Sequence, residues 1–206
     1  MVCLNLRAAP AVHPPQLSAV ADVALTAAGD VLVADGDGGA NNRLLLLRGT
    51  NLSDVLWSVG GAGAGPGLFS SPHSVAYEPG ADRALVADRG NARIQFLAAA
   101  DGRVLGQWAL AADCGLPAGA LPWGLRVDAP RERLLVVDGA TGHFYALALP
   151  AQRPGAAPGP CVVLQATAVA PTASNPHELG VDAATGDVYV ALVGAPTGVL
   201  RYVRKG

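Results

Sequence analysis

The feature that most constrains the fold is an internal repeat. The segments ADVALTAAGDVLVADGDGGANNRLLLL, PHSVAYEPGADRALVADRGNARIQFL, PWGLRVDAPRERLLVVDGATGHFYALAL and PHELGVDAATGDVYVALVGAPTGVLRYV align with hardly a gap. Equivalent aspartates stand at Asp35, Asp88 and Asp138, with Leu192 in the matching place of the last copy, a period of about fifty. Each copy reads as a short alternating run, a Gly, Pro or Asp turn, a Val/Leu/Tyr run, a second Gly/Asn turn and a third apolar run. One more such run follows in three places: VLWSVG, RVLGQWAL and CVVLQA. Short runs rich in Val, Leu and aromatics and bounded by turn residues are strands. Four strands at this period describe a propeller blade.

The expectation is therefore an all-β chain. An irregular segment spans 1–19, and a β-propeller fills 20–206 with blades near 20–60, 72–110, 122–166 and 176–204. No helix is expected, because Pro and Gly interrupt the Ala-rich pieces. The Gly/Pro/Ala-rich linkers 60–71 and 151–160 read as surface loops without structure of their own. Open blade flanks leave unpaired backbone and apolar surface, so the four copies read as part of a larger ring in preference to a closed four-blade one.

Composition excludes more than it assigns. Fourteen basic and sixteen acidic residues leave a net charge of −2 with no basic cluster, which argues against nucleic acid. No stretch is long and apolar enough for a membrane-spanning helix. The opening MVCLNLRAAPAVHPPQLS is broken by Arg7, Pro10 and His13 and lacks the apolar run of a secretory signal; either the protein is not exported or its true beginning lies upstream. The three cysteines form no CxxC pair, which excludes a zinc knuckle. Cys114 and Cys161 flank the same repeat, in linker-like stretches, and are either a disulfide or two idle thiols.

The strings PHSVAYEPGADRALVADRGNARIQ and PHELGVDAATGDVYVA resemble NHL repeats, the blades of six-bladed propellers, over nearly all of residues 20–204. Most members of that superfamily bind other molecules, so the resemblance implies a non-catalytic platform for a protein or peptide on one face. It also implies a secretory setting. A second likeness, to the peptidyl-α-hydroxyglycine α-amidating lyase, implies an alternative: a zinc-dependent enzyme with a calcium nearby. In that reading His73 and His177 are zinc ligands, Arg89 grips the substrate and Glu178 is a candidate calcium ligand. The PH motif skips a blade, with Trp123 in its place in the third copy and Ala21 in the first. A third histidine is then expected one blade before residue 20, since a catalytic zinc takes three protein ligands and an open position. His13 has no blade pattern around it, and His143 lies in a mid-blade turn at the wrong phase.

The structural alternatives are equally concrete. His73 and His177 can serve as inner-strand residues bonded to backbone carbonyls, and Arg89 as a loop arginine paired with a neighbouring blade's aspartate. Asp35 and Asp37 in DGDGG are either oxygen ligands at alternate positions or parts of a hairpin turn in which Asn41 and Asn42 tolerate left-handed backbone. Where the lyase has a tyrosine, this chain has Asp37, which lacks a phenol's chemistry. No nucleophile elbow, P-loop or dinucleotide fingerprint is present.

Overall fold

A computed structural model describes residues 16–38, 41–150, 152–169, 175–194 and 197–203. It is all-β: four antiparallel sheets stand side by side in a propeller-like ring, each built from strands consecutive in sequence. Blade 1 comprises β1 (Val20–Leu25), β2 (Val31–Asp35), β3 (Arg43–Arg48) and β4 (Asn51–Gly60). Blade 2 comprises β5 (Pro72–Glu78), β6 (Arg83–Asp88), β7 (Arg93–Ala98) and β8 (Val104–Ala109), and blade 3 comprises β9 (Pro122–Asp128), β10 (Arg133–Asp138), β11 (His143–Ala148) and β12 (Val163–Ala168). Blade 4 has three strands among the described residues: β13 (Asn175–Val181), β14 (Val188–Val193) and β15 (Gly198–Tyr202). Helical geometry among the described residues is confined to two 3-10 turns, Arg89–Asn91 and Ala129–Arg131.

The inner strands β1, β5, β9 and β13 pack in that order around the axis. The sheets of blades 2 and 3 bury both faces against their neighbours, so their middle strands are rich in apolar residues, as doubly covered strands must be. Core clusters fill the spaces between blades 1 and 2, 2 and 3, and 3 and 4. At the ends of the array Val23 and Leu25 of β1, and Tyr189, Val193 and Val199 of blade 4, stand exposed. No packing as extensive as that between neighbouring inner strands joins β13 to β1 among the described residues.

The repeated aspartates explain why the copies look alike. Asp35, Asp88 and Asp138 are fully buried at the ends of the second strands. Each carboxylate accepts hydrogen bonds from backbone N–H groups just ahead of its own blade's inner strand: Ser18 and Ala19, Ser70, and Leu121. Each also takes a side chain from the following turn, Asn41, Asn91 or Thr141. Such charge-assisted bonds lock the inner strand to the turn beside it. Arg43 and Arg93 add guanidinium bonds to the first two, and His143 stands at the same place in blade 3. That placement gives His143 a structural job, with Nδ1 donating to the Thr141 carbonyl.

The linkers are not the structureless loops expected from their composition. Phe69 in the first is fully buried between blades 1 and 2, and Arg93 holds that segment by donating to the carbonyls of Ala64, Gly65 and Leu68. In the second, the Gly159 carbonyl accepts from Trp108 Nε1 and the Ala156 carbonyl accepts from the buried Arg83. Cys114 and Cys161 form a disulfide that ties the connection after blade 2 to the outer strand of blade 3.

Candidate functional site

One backbone device recurs at the start of every inner strand. The ladder to the second strand skips a residue: Pro72 faces Asp88 and Ser74 faces Ala87, leaving His73 bulged. The same slip leaves out Ala21 in blade 1, Trp123 in blade 3 and His177 in blade 4. A bulge re-aims the side chain it carries, and in blades 2, 3 and 4 the bulged side chains converge at one mouth of the axis. The phase of the PH motif is thus the phase of the bulge.

Three of the four side chains meet there. The rings of His73 and His177 lie 5.0 Å apart, and the Trp123 ring stands 5.2 and 5.1 Å from them. Trp123 fits because Gly139 lies beneath it; a Cβ on Gly139 would fall 2.7 Å from the indole. The Arg89 guanidinium covers the Trp123 ring at 4.8 Å, a cation–π contact. It also pairs with Asp37 of blade 1 at 2.8 Å. Arg89 therefore has the cross-blade aspartate partner that its sequence context allowed.

His73 is 4% exposed, and its Nδ1–H donates to the Trp123 carbonyl at 2.8 Å. A carbonyl cannot donate, so this bond fixes the proton on Nδ1 and, in the neutral ring, leaves the Nε2 lone pair facing Asp37 at 3.8 Å. Burial holds the pKa of His177 below its usual value, and the neighbouring His73 adds to the effect. The Trp123 Nε1–H is buried with no acceptor among the described residues.

One layer further in, the inner strands carry a charge network. Asp22 accepts from Ser74 Oγ at 2.6 Å and from Arg126 at 3.1 Å, and Arg126 lies 3.5 Å from Glu178. Ser74 Oγ in turn accepts from the Leu125 N–H, so all four blades are linked across the channel. Burial pushes the Glu178 carboxyl up, and the Arg126 charge pulls it back. Glu178 rests against Gly124, where a Cβ would collide with its carboxylate.

Tested against the metals that the lyase likeness implies, the described residues do not complete a site. His73 and His177 present suitable nitrogens, the first held by a backbone carbonyl as a metal-bound imidazole usually is. The carboxylate beside them, Asp37, is already paired with a guanidinium. No group of three or more His, Cys, Asp or Glu side chains among the described residues could hold a metal ion. Glu178 already faces the Arg126 guanidinium at 3.5 Å. Asp35 is spent on backbone and side-chain donors. His13 lies outside the described residues.

Arg89, His73 and His177, singled out from the sequence, stand together at this mouth. Sequence reasoning missed Trp123 and Asp37 as members of the same cluster. The signal for Trp123 was its phase, the same bulge position as the two histidines. The Asp22–Ser74–Arg126 network was also missed, although Arg126 is the one basic residue inside an inner-strand run.

No family model matches the chain. It is 37% identical over 191 residues to human NHL repeat-containing protein 3, covering 93% of this chain and 51% of that protein. To the mouse protein it is 35% identical over 183 residues, 89% of this chain and 49% of that one. The chain spans about half the length of these curated relatives. Among solved structures it resembles Kuenenia stuttgartiensis hydrazine synthase, with a TM-score of 0.65 at 8% identity over 93% of this chain and 47% of that one. It also resembles the RRP9 WD40 repeats, with a TM-score of 0.61 at 12% identity over 93% and 53%. Likeness at these identities speaks for the propeller fold alone. With the repeat, the blades and the sequence identity in agreement, the chain belongs to the NHL-repeat family as a homologue of NHL repeat-containing protein 3.

Proposed function

We propose that the chain is a non-catalytic binding platform whose axial mouth receives an extended segment of a protein or peptide. The observation that carries this reading is the convergence of Trp123, Arg89, His73 and His177 from three blades on one mouth. Aromatic and guanidinium groups together are what peptide-binding hot spots are made of. The buried Trp123 N–H lacks an acceptor among the described residues, which adds a donor for a ligand carbonyl. Nothing in the cluster is arranged as a nucleophile and base, and Asp37 is engaged by Arg89. We further propose that the protein works in an oxidising compartment, a reading supported by the Cys114–Cys161 disulfide.

The test is selection from a random-sequence peptide pool on the immobilised chain, repeated with Arg89→Ala and Trp123→Ala. The expected result is a peptide set retained by the native chain and lost by both variants, with no glyoxylate released from an α-hydroxyglycine peptide. Glyoxylate release that disappears in a His73→Ala/His177→Ala double variant would overturn the platform in favour of a zinc lyase. Compartment is tested separately: alkylation of Cys114 and Cys161 in native protein, without reductant, would remove its support.

A further inference from the structure

The sequence holds a single Asn-X-Ser/Thr triplet, Asn51-Leu52-Ser53, and its middle residue is not proline. The other asparagines, Asn5, Asn41, Asn42, Asn91 and Asn175, lack a hydroxyl two residues on. The triplet is the acceptor pattern for N-linked glycans, which demands a side-chain amide and a hydroxyl together on an accessible surface. The fold meets that demand. Arg48 faces Asn51 across a hairpin tip of two residues, Gly49 and Thr50, so the triplet opens β4 at the outer rim of blade 1. Asn51, Leu52 and Ser53 are all exposed. Among the described residues the Asn51 carboxamide makes local bonds only: the Ser53 N–H donates to its Oδ1 at 3.2 Å, an Asx turn, and its Nδ2 donates to the exposed Asp54 at 3.0 Å. An amide nitrogen joined to a sugar keeps one N–H, so the bond to Asp54 survives and no buried group loses a partner. The site also lies away from the axial mouth. Asp35 and Arg43 pair at the mouth end of blade 1, whereas Arg48 and Asn51 pair about 17 Å further along β3.

We infer that Asn51 is an N-glycosylation site. The modification joins Asn51 Nδ2 to the anomeric carbon of an oligosaccharide carried on a polyprenyl diphosphate. Nδ2 gives up one proton, and the sugar–phosphate C–O bond breaks with its electron pair leaving on the diphosphate. A membrane glycosyltransferase of the secretory pathway performs the transfer, and this chain is its substrate alone. The Cys114–Cys161 disulfide is the independent observation that points the same way, because disulfides close and N-glycans are attached in the same compartment. The glycan stands beside the exposed Leu52 and Leu56 of β4, at the rim, and leaves the mouth open. The inference rests on the oxidising-compartment reading and is independent of peptide binding at the axis.

The experiment expresses the full chain in cultured animal cells behind a cleavable secretion leader and collects it from the medium. Peptide:N-glycosidase then removes any N-glycan and converts the asparagine that carried it to aspartate, which peptide mass spectrometry locates. The expected result is a gel band that moves faster after the enzyme, with the conversion confined to Asn51 and found in most copies. Asn51→Gln and Ser53→Ala should each abolish the shift, since the first removes the acceptor and the second the hydroxyl that the transferase requires. Ser53→Thr should keep it. An unmodified Asn51 in secreted chain whose Cys114–Cys161 bridge is closed would overturn the inference and leave the compartment reading standing, as would a glycan that persists in Asn51→Gln. Free thiols at Cys114 and Cys161 together with a bare Asn51 would take both readings down.

Discussion

The interface between blades 2 and 3 and the interface between blades 3 and 4 use the same strand positions and differ in what fills them. Between blades 2 and 3, Phe96, Trp108, Leu125 and Tyr145 form one continuous buried cluster. The linker 152–162 closes it from outside: Pro158 lies against Gly106, where a Cβ would fall 2.7 Å from the proline ring, and the disulfide fastens the edge. Between blades 3 and 4, a cavity of about 590 Å³ borders the core. The register shows the cause at one position. The residue facing Leu46 in blade 1 is Trp57, the one facing Phe96 in blade 2 is Gly106, and the one facing Ala146 in blade 3 is the exposed Gln165. A tryptophan fills the space in blade 1, a glycine with a borrowed proline fills it in blade 2, and a polar side chain leaves it open in blade 3. The lesson is that a repeat specifies the backbone of each blade, while the seal between blades depends on outer strands and linkers that vary freely.

The largest effect should come from truncating the sealed core. Phe96 is fully buried, edge-on to Trp108 and beneath the Arg83 guanidinium. Phe96→Ala should cost about 3–5 kcal/mol in urea unfolding. In the core between blades 3 and 4 the half-buried Leu200 packs on β14, facing Val190, and Leu200→Ala should cost less than about 2 kcal/mol by the same measurement. Equal costs would break the comparison.

Next comes the staple. The Cys114–Cys161 bridge closes a loop of 47 residues, and its loss should cost about 3–4 kcal/mol from loop-closure entropy. The measurement is unfolding of a Cys114→Ser/Cys161→Ser double variant against the oxidised protein. Hydrogen exchange should show the loss concentrated in β8, β12 and the linker 152–162, with blade 4 little changed. Uniform loosening of all four blades would show that the array unfolds as one unit.

A smaller effect of opposite sign sharpens the contrast. Gln165→Trp places at blade 3 the residue that blade 1 carries at this register. Covering the apolar part of the cavity wall should raise stability by about 1 kcal/mol. A neutral or destabilising result would show that the space is too polar, or too open, for an indole to seal.

These differences also mark how far the sequence could be read. The four copies, their strands and the axial position of PHSV and PHEL follow from periodicity and turn residues, because a period-two pattern bounded by Gly and Asp has few structural solutions. The linkers were misread because composition reports backbone freedom and not tertiary anchoring. Nothing local to GGAGAGPGLFSS says that Arg93, some thirty residues on, will hold its carbonyls. The candidate site was half legible for a similar reason. His73 and His177 share a motif, whereas Asp37 reaches the cluster through contacts with Arg89 and His73 of another blade, and such pairings leave no trace in spacing. Trp123 was visible in phase, yet its role depended on the small Gly139 beneath it.

The mildest expected effect separates the axial mouth from both interfaces through pH. Around His177 stand His73, Arg89, Asp37 and the Trp123 ring. Burial first, then the neighbouring His73, favour the neutral imidazole; Asp37 only partly opposes them, and Arg89 adds a smaller push in the same direction as burial. The folded chain therefore holds the His177 pKa below the unfolded value of 6.5. Above that value neither state carries the proton and the full stability is present. As the pH falls through 6.5 the unfolded chain takes up the proton more readily, so stability declines until the folded-state pKa is passed. Denaturant midpoints should thus fall between pH 7 and pH 5, and His177→Gln should flatten that part of the profile. The same variant should leave the exchange rates of the blade 2–3 core unchanged, since its ring touches only the mouth. A steeper acid loss in His177→Gln than in the native chain would mean that the imidazole is stabilised as a cation, with Asp37 and not burial setting its charge.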